Sequence, residues 1–319
     1  MWKYFEGDEL EWERILSRKV GQNYLVGNEW MNHMTNLGWN VERFVYQKGS
    51  SIEICQGFCK RYFFGFYVYW FPEWILGDYR NSSSLLTFIK ERKNSHFIYL
   101  RLRSHRKKNF VDQVILELSF KKAKKQIDSA KTMLLDLNQG KDKLHDNLRK
   151  NWKRNLKRSN KIKHKIIKIT DVSEIIKLYK TLAGIKKIES SLYTEEEIRS
   201  IFNVFSSSLL VYGCQTEDGE IHAIRGALSK SNKTTDIFAA ANLFARKNYL
   251  SYAVCWHLIT QSINVAKIYD LNGVDEKNTG VYNFKRGTGA YLHETLGEFE
   301  FSSNIAVSFL IDLYFLFKK

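Results

Sequence analysis

The sequence predicts a mixed α/β (α+β) chain of two domains, each a mixed, mostly antiparallel sheet flanked by helices. Three observations carry that reading. Residues 209–215, 221–229 and 234–242 alternate with a period of two, and Glu217, Asp218 and Gly219 between the first two form a hairpin signal. Residues 251–263 then follow a helical pattern and 265–271 are an apolar run, so a meander is succeeded by a helix and one more strand. At 319 residues, with 44% hydrophobic and 14% aromatic content, the chain is long enough for two cores. Apolar content drops across 120–131, which puts a boundary near 130.

The elements follow in order. Residues 9–18 and 29–37 have helical spacing, and 51–71 read as strands. Eight of the ten residues from Tyr62 to Phe71 are aromatic, which favours a strand and places most of these rings in a core. Pro72, the sole proline, with Gly77 and Asp78 marks a loop. Ser83 is placed to cap a helix over 85–92, and 97–102 is the next strand. Past the boundary, 133–137 is a strand and Asn138 is placed to cap one helix in which Leu144, Leu148, Trp152 and Leu156 recur every four residues as a buried stripe. Lys150, Lys153, Arg154, Lys157 and Arg158 occupy the rest of that helix. Residues 173–182 and 194–205 are further helices, the second opened by a capping box at Thr194 and Glu197. The apolar run 305–317, interrupted by Ser308 and Asp312, is too short to span a bilayer. It reads as a C-terminal core helix or strand packed on the protein, with a place on a membrane surface as the alternative.

Charge and cysteines bound the function. Of the net +16, the segment 119–168 carries +13, with 17 Lys and Arg against 4 Asp, so one face or arm holds a field that attracts phosphates. Cys55, Cys59, Cys214 and Cys255 are too few and scattered for a disulfide framework, and they read as reduced thiols. They lack zinc-ligand spacing, so no metal is expected. The chain opens MWKYFEGDELEWERIL, without a secretory leader, and the expected location is cytoplasmic.

The segment 269–299 constrains function most. It begins where a buried strand should end, and ligands in open α/β sheets sit beyond the carboxyl ends of strands. After Asp270 come Asn272, Gly273, Asp275 and Asn278, then Tyr282, Asn283, Phe284, Lys285, Arg286 and Gly287, a set suited to an anionic ligand. Asp270 could hold or deprotonate an amine, or could cap the following loop; Asp275 is the second candidate. Arg225 alternates with Ile221, Ala223 and Ala227 on one strand face and needs a partner, either a ligand phosphate or an internal carboxylate.

Tyr269, Asp270 and Gly273, followed by Phe284, Lys285 and Gly287, resemble the Tyr-Asp-x-x-Gly and Phe-Lys-x-Gly motifs of the FemABX branch of the GNAT acyltransferases. Leu135, Asp136, Leu137, Arg154, Asn155 and Arg158 resemble its Leu-Asp-Leu strand and Arg-x-Asn-x-x-Lys helix. The resemblance implies two GNAT-like domains, 1–130 completed by 300–319, and 131–299 as the acyl-donor-binding domain. It implies transfer by direct attack of an amine, without a covalent enzyme intermediate. Asp270, Lys285 and Asp275 are then the catalytic candidates, Lys285 contacting a phosphate or polarising the carbonyl, and Arg225, Asn272, Tyr282, Asn283 and Arg286 would meet substrate. Ala239 and Ala240 would admit a pantetheine arm of acyl-CoA, with Arg246, Lys247 and Asn248 near its pyrophosphate. The chain departs from ordinary GNAT proteins here, having Arg246, Tyr249 and Ser251 without the usual glycine. Similar proteins acylate nucleotide-linked (dTDP- or UDP-) amino sugars from acyl-CoA in surface polysaccharide biosynthesis, and that is the expected activity. The alternative is an aminoacyl-tRNA-dependent peptidoglycan-bridge transferase, which the basic helix favours.

Overall fold

The computed structural model describes residues 1–19, 23–49, 51–186 and 193–317. The chain divides into two compact units, one formed by 1–130 with 294–319 and the other by 131–293. Both are sheets flanked by helices, and the expected fold class is borne out.

The first unit opens with β1 (Trp2–Tyr4), α1 (Glu9–Ser17), α2 (Asn28–Asn36) and the hairpin β2 (Asn40–Lys48) and β3 (Ser51–Arg61). β4 (Tyr67–Phe71) pairs antiparallel with β3, and α3 (Ser82–Lys93) crosses over to β5 (Ile98–Lys107), which lies parallel to β4. α4 (Phe110–Glu117) and the short β6 (Lys121–Lys122) follow. Asp8 caps α1 by accepting from the Glu11 amide. β2 escaped the sequence reading because polar Glu42, Arg43 and Gln47 interrupt its apolar positions. Ser83, the expected cap, lies inside α3, two residues past its N-cap Asn81. The aromatic run is also less buried than expected: Tyr69 and Phe71 reach the core, whereas Tyr62, Phe63 and Phe64 form an exposed turn.

The second unit runs β7 (Lys131–Asp136), α5 (Gly140–Asp146), α6 (Lys150–Ser159), β8 (His164–Lys168), α7 (Val172–Lys186) and α8 (Glu195–Val204). Then come the meander β9 (Leu209–Thr216), β10 (Ile221–Lys230) and β11 (Lys233–Ala241), followed by α9 (Leu243–Lys247), α10 (Leu250–Ser262), β12 (Ile268–Gly273) and α11 (Thr279–Gly287). Its sheet order is β7-β12-β11-β10-β9-β8, all antiparallel except β11 with β12. The capping box at Thr194 and Glu197 opens α8 as expected. The single helix expected after Asn138 is two, because the chain breaks between Asp146 and Lys150, yet Leu144, Leu148 and Trp152 are still buried together. Trp152 packs 5.0 Å from Tyr252 and 6.3 Å from Trp256 of α10, fixing α6 with its basic residues outward.

β13 (Tyr291–Ser302) returns the chain to the first unit, where it pairs antiparallel with β5, and α12 (Ile305–Phe317) follows. α12 is the expected C-terminal helix but not a core one. Val307 is buried, whereas Ile305, Phe309, Leu310 and Tyr314 are exposed.

Candidate active site

β11 and β12 start side by side and then part. Their parallel pairing covers Lys233 to Thr235 against Ile268 to Asp270, although β11 continues to Ala241 along β10 and β12 to Gly273 along β7. Two local features open the gap. Between Gly226 and Ala227 of β10, β11 holds the extra residue Ile237, a bulge that bends and twists a strand. On the other side Asn272 adopts left-handed backbone, with φ of 62°, and its side-chain Nδ2 donates to the Asp236 carbonyl at 2.9 Å, bracing the mouth of the opening. Farther out the Ala239 amide, no longer facing a strand, donates to the Tyr179 hydroxyl at 3.3 Å, and Ala239 is exposed. Ala240 is buried.

A buried ion cluster lies at the base of the opening. Arg225 Nε donates to both carboxylate oxygens of Asp236 at 3.1 and 3.0 Å, and Nη2 adds another bond. Tyr269 Oη donates to Asp236 Oδ1 at 2.5 Å. Burial alone would lower the Arg225 pKa, and the adjoining Asp236 more than reverses that, holding the guanidinium charged. Burial raises the Tyr269 phenol, so it stays a donor. Of the two partners expected for Arg225, a ligand phosphate or an internal carboxylate, the structure shows the carboxylate, Asp236. Asp236 and Tyr269 were not among the expected site residues. Asp236, a lone carboxylate between Thr235 and Ile237, is the complement that a buried Arg225 demands, and strand register brings the two together.

Lys285 stands at the same place from the other side. It lies on α11, which Asn278 caps by accepting from the Val281 amide at 3.4 Å. Trp152 Nε1 donates to the Phe284 carbonyl at 3.1 Å, and a Cβ on Gly287 would fall 2.5 Å from Trp152 Cδ1, so the motif glycine is what lets α11 sit against α6. The Lys285 ammonium donates to the carbonyls of Asn272 at 3.2 Å and Gly273 at 2.6 Å. Burial lowers its pKa to about 8, with Arg225 adding to the fall and Asp236 opposing it. A cation held by neutral carbonyls, rather than by a carboxylate, keeps its charge available to a developing oxyanion.

Asp270 is enclosed by fixed partners. It is 5% exposed, bonded to Lys233 Nζ at 2.5 Å, to the Thr132 hydroxyl and to the Asn272 amide at 2.8 Å. Burial works to raise its pKa, and Lys233 with those hydrogen bonds more than reverses it, so the carboxyl is held below its ordinary value. Such a group is a poor proton acceptor, and its bonds tie β7, β11 and β12 together and hold the start of the following loop, the capping place that was the alternative expected for Asp270. Asp275 is exposed and accepts from the Lys277 amide at 2.9 Å, making a turn ahead of α11. Tyr282 is half-buried against Trp152's cluster, while Asn283 and Arg286 are exposed on α11.

Beyond the opening lies a basic surface. α10 starts at Tyr249, which takes left-handed backbone with φ of 61° and gives the helix no side-chain cap. Arg158 of α6 donates to Tyr249 Oη at 3.1 Å, with its guanidinium 5.4 Å from the ring centre. Lys150, Arg154 and Lys157 are exposed on the same helix, and Arg246 and Lys247 are exposed on α9; Asn248 ends α9, its amide donating to the Phe244 carbonyl. Among the described residues Asp218, Glu220 and His222 bring ligand atoms within 4.8 Å of one another, but both ring nitrogens of His222 are engaged, by Thr216 Oγ1 and Asn242 Nδ2, each at 2.9 Å.

Comparison with known proteins agrees with this architecture. The FemAB family model matches residues 205–310, about a third of the chain, spanning β9 to α12 and so including β11, β12 and α11. The crystal structure of FemX superposes with a TM-score of 0.79 at 14% identity, covering 99% of this chain and 100% of that one. A tandem GNAT protein from the clavulanic acid biosynthesis pathway gives 0.63 at 10% identity, covering 95% and 98%. L-PGS from Bacillus licheniformis gives 0.56 at 12% identity, covering 95% of each chain. No curated protein matches. The expected FemABX resemblance and tandem GNAT-like fold are both borne out. No helix of the described residues is long and apolar enough to cross a membrane.

Proposed function

We propose that the chain is an acyl- or aminoacyltransferase acting on a primary amine, and that its donor is an aminoacyl ester carried on RNA. The observation that carries the transfer reading is the parting of β11 from β12 with Lys285 at its base. An extended acyl arm laid in that gap can bond the backbone of β11 where no strand covers it, with the reacting carbonyl directed at the Lys285 ammonium. The neutral amine attacks the carbonyl carbon, forming the new C–N bond. The Lys285 ammonium stabilises the oxyanion, the C–O bond to the RNA ribose breaks, and the amine proton leaves with the ribose oxygen or to water. Orientation of the two substrates supplies much of the rate.

The donor reading rests on α6. Its exposed Lys150, Arg154, Lys157 and Arg158 flank the uncapped start of α10, and a row of cations several ångströms long suits a polyphosphate chain better than one pyrophosphate. The fold likeness to FemX agrees with the same choice. Acyl-CoA remains the second reading, favoured by exposed Ala239 and by Arg246 and Lys247 on α9. A nucleotide-linked amino sugar and a cell-wall peptide amine both belong to the acceptor class, and the assay separates them.

The test offers the protein labelled aminoacyl-tRNA or labelled acyl-CoA, each with a UDP-linked muramyl peptide or a dTDP-amino sugar. Label should pass from tRNA to an amine and the transfer should vanish after ribonuclease treatment. Transfer from acyl-CoA alone would reverse the donor assignment, and transfer from neither would remove the transferase reading.

A further inference from the structure

One edge of the first unit exposes large apolar side chains from three separate segments. The turn between β3 and β4 presents Phe63 at 88% and Phe64 at 96% exposure. Phe64 has φ of 56°, a left-handed conformation that a bulky side chain adopts at a cost. Hydrogen bonds join this turn to the other two segments. Ser95 Oγ donates to the Gly65 carbonyl at 2.7 Å and the Tyr67 amide to the Phe97 carbonyl at 2.9 Å. Ser303 Oγ and Asn304 Nδ2 both donate to the His96 carbonyl, at 2.6 and 2.7 Å, setting the start of α12 beside them. Phe97 at 40% exposure, Ile305 at 88% and Phe309 at 62% extend the apolar edge along α12.

A strained turn carrying two bare phenylalanines gains nothing from folding, and a helix apolar on all sides is ordinarily covered. The surrounding charge identifies the cover. Arg61 flanks the aromatic turn, and Lys124 and Lys125 flank α12: Lys124 neutralises Asp312 at 2.9 Å, and Lys125 Nζ donates to the Phe315 carbonyl at 3.3 Å. Lys121 lies opposite Glu300 in the ladder of β6 with β13, so its side chain shares the sheet face that carries the Arg101 pair, and Lys125 Nζ lies 5.5 Å from the Phe315 ring centre, which the Arg101 guanidinium also faces at 5.0 Å. Apolar side chains at the tip with cations around them match an anionic lipid surface, where aromatic rings settle at headgroup depth and cations meet phosphates.

We propose that this edge, the Phe63–Phe64 turn with α12, docks the first unit on an anionic lipid surface without spanning it. The inference is independent of the transfer chemistry assigned to the second unit. It is tested by co-sedimentation of the full chain with vesicles of phosphatidylcholine alone or mixed with phosphatidylglycerol. Binding should be at least about tenfold stronger to the mixed vesicles and should weaken with salt. The double variant Phe63→Ser, Phe64→Gly relieves the left-handed strain, so it should keep its melting temperature while losing roughly tenfold or more in vesicle binding. A second double variant, Phe309→Ser with Leu310→Ser, should lose binding similarly. Equal binding of wild type and both variants would overturn the proposal. So would a concentration-dependent dimer, seen by light scattering, that the substitutions dissociate, because a second copy would then be the occupant.

Discussion

The two units repeat one arrangement and differ where it matters. In each, an antiparallel meander leads through a helix to a strand that lies parallel to the meander's last member: β4, α3, β5 in the first unit and β11, α10, β12 in the second. In the first unit the parallel pair is closed along five residues, Tyr67 to Phe71 against Ile98 to Leu102. In the second it closes over three and then opens. Buried arginines mark the same contrast. Arg101 binds Glu298 at 2.7 Å through Nε, and the remaining capacity of that carboxylate is filled by the amides of Ile127 at 3.1 Å and Asp128 at 2.9 Å. Arg225 and Asp236 are also matched, but Lys285 adjoins them with a displaced pKa and, among the described residues, donates hydrogen bonds to carbonyls. A cluster whose donors and acceptors balance beside a closed strand pair holds a sheet together. A surplus cation at an open one is what the proposed transfer would use.

The largest expected effect tests whether both arginine pairs are architectural. Glu298→Ala and Asp236→Ala each strand a guanidinium that is less than a tenth exposed, and each should cost about 3–5 kcal/mol in urea unfolding. Replacing both members together, Arg101→Met with Glu298→Leu, should recover most of that loss. A Glu298→Ala protein of unchanged stability would mean that Arg101 relaxes to water and that the comparison fails in the first unit.

Next in size is Lys285→Met, where the two units should diverge. Loss of the cation should lower kcat by about 10²–10³ while the protein stays folded, as removal of an oxyanion donor does. Stability should move the other way. With a folded pKa near 8 against an ordinary 10.5, Lys285 costs stability below about pH 8, where both states are protonated, and the cost is relieved as pH rises from 8 toward 10.5, where the unfolded chain holds more protons. The variant should therefore be more stable at pH 7 by about 1–2 kcal/mol after its lost hydrogen bonds are counted, and should lack the wild type's gain in stability between about pH 8 and 10. In the wild type, kcat should fall as pH rises through about 8, as the cation is lost. Arg101→Met with Glu298→Leu should leave kcat alone. A pH profile without a break near 8 would detach Lys285 from the chemistry.

The same contrast explains what could be read from the sequence. Period-two alternation located β9, β10 and β11, and the Tyr269 to Gly273 spacing located the end of β12, while the Phe284 to Gly287 spacing marked a glycine that Trp152 requires. Roles did not follow from position. Asp270 and Arg225 were legible as charges in apolar strands, yet their partners, Lys233 and Asp236, are set by strand register, which no local spacing encodes. The helical state of α11 was hidden because Gly280 and Gly287 read as loop residues. The opening itself depends on a one-residue bulge at Ile237 and on left-handed backbone at Asn272, neither of which has a composition signal.

The smallest effect on the fold concerns α6, and it separates donors rather than units. Arg154, Lys157 and Arg158 lie on the exposed face of a helix anchored by Trp152, so changing all three to Gln should alter stability by less than about 0.5 kcal/mol. If they meet the phosphates of an RNA donor, tRNA binding should weaken, and the slope of log affinity against log salt should become shallower by about 2, at roughly 0.7 per lost single-strand phosphate contact. Since the helix is remote from the reacting carbonyl in this reading, KM for aminoacyl-tRNA should rise while kcat at saturation stays near wild type, the signature of uniform binding. A matching rise in KM for acyl-CoA, with tRNA affinity unmoved, would assign the same three cations to a coenzyme pyrophosphate. The opening between β11 and β12 would then serve a pantetheine arm, as Ala239 first suggested.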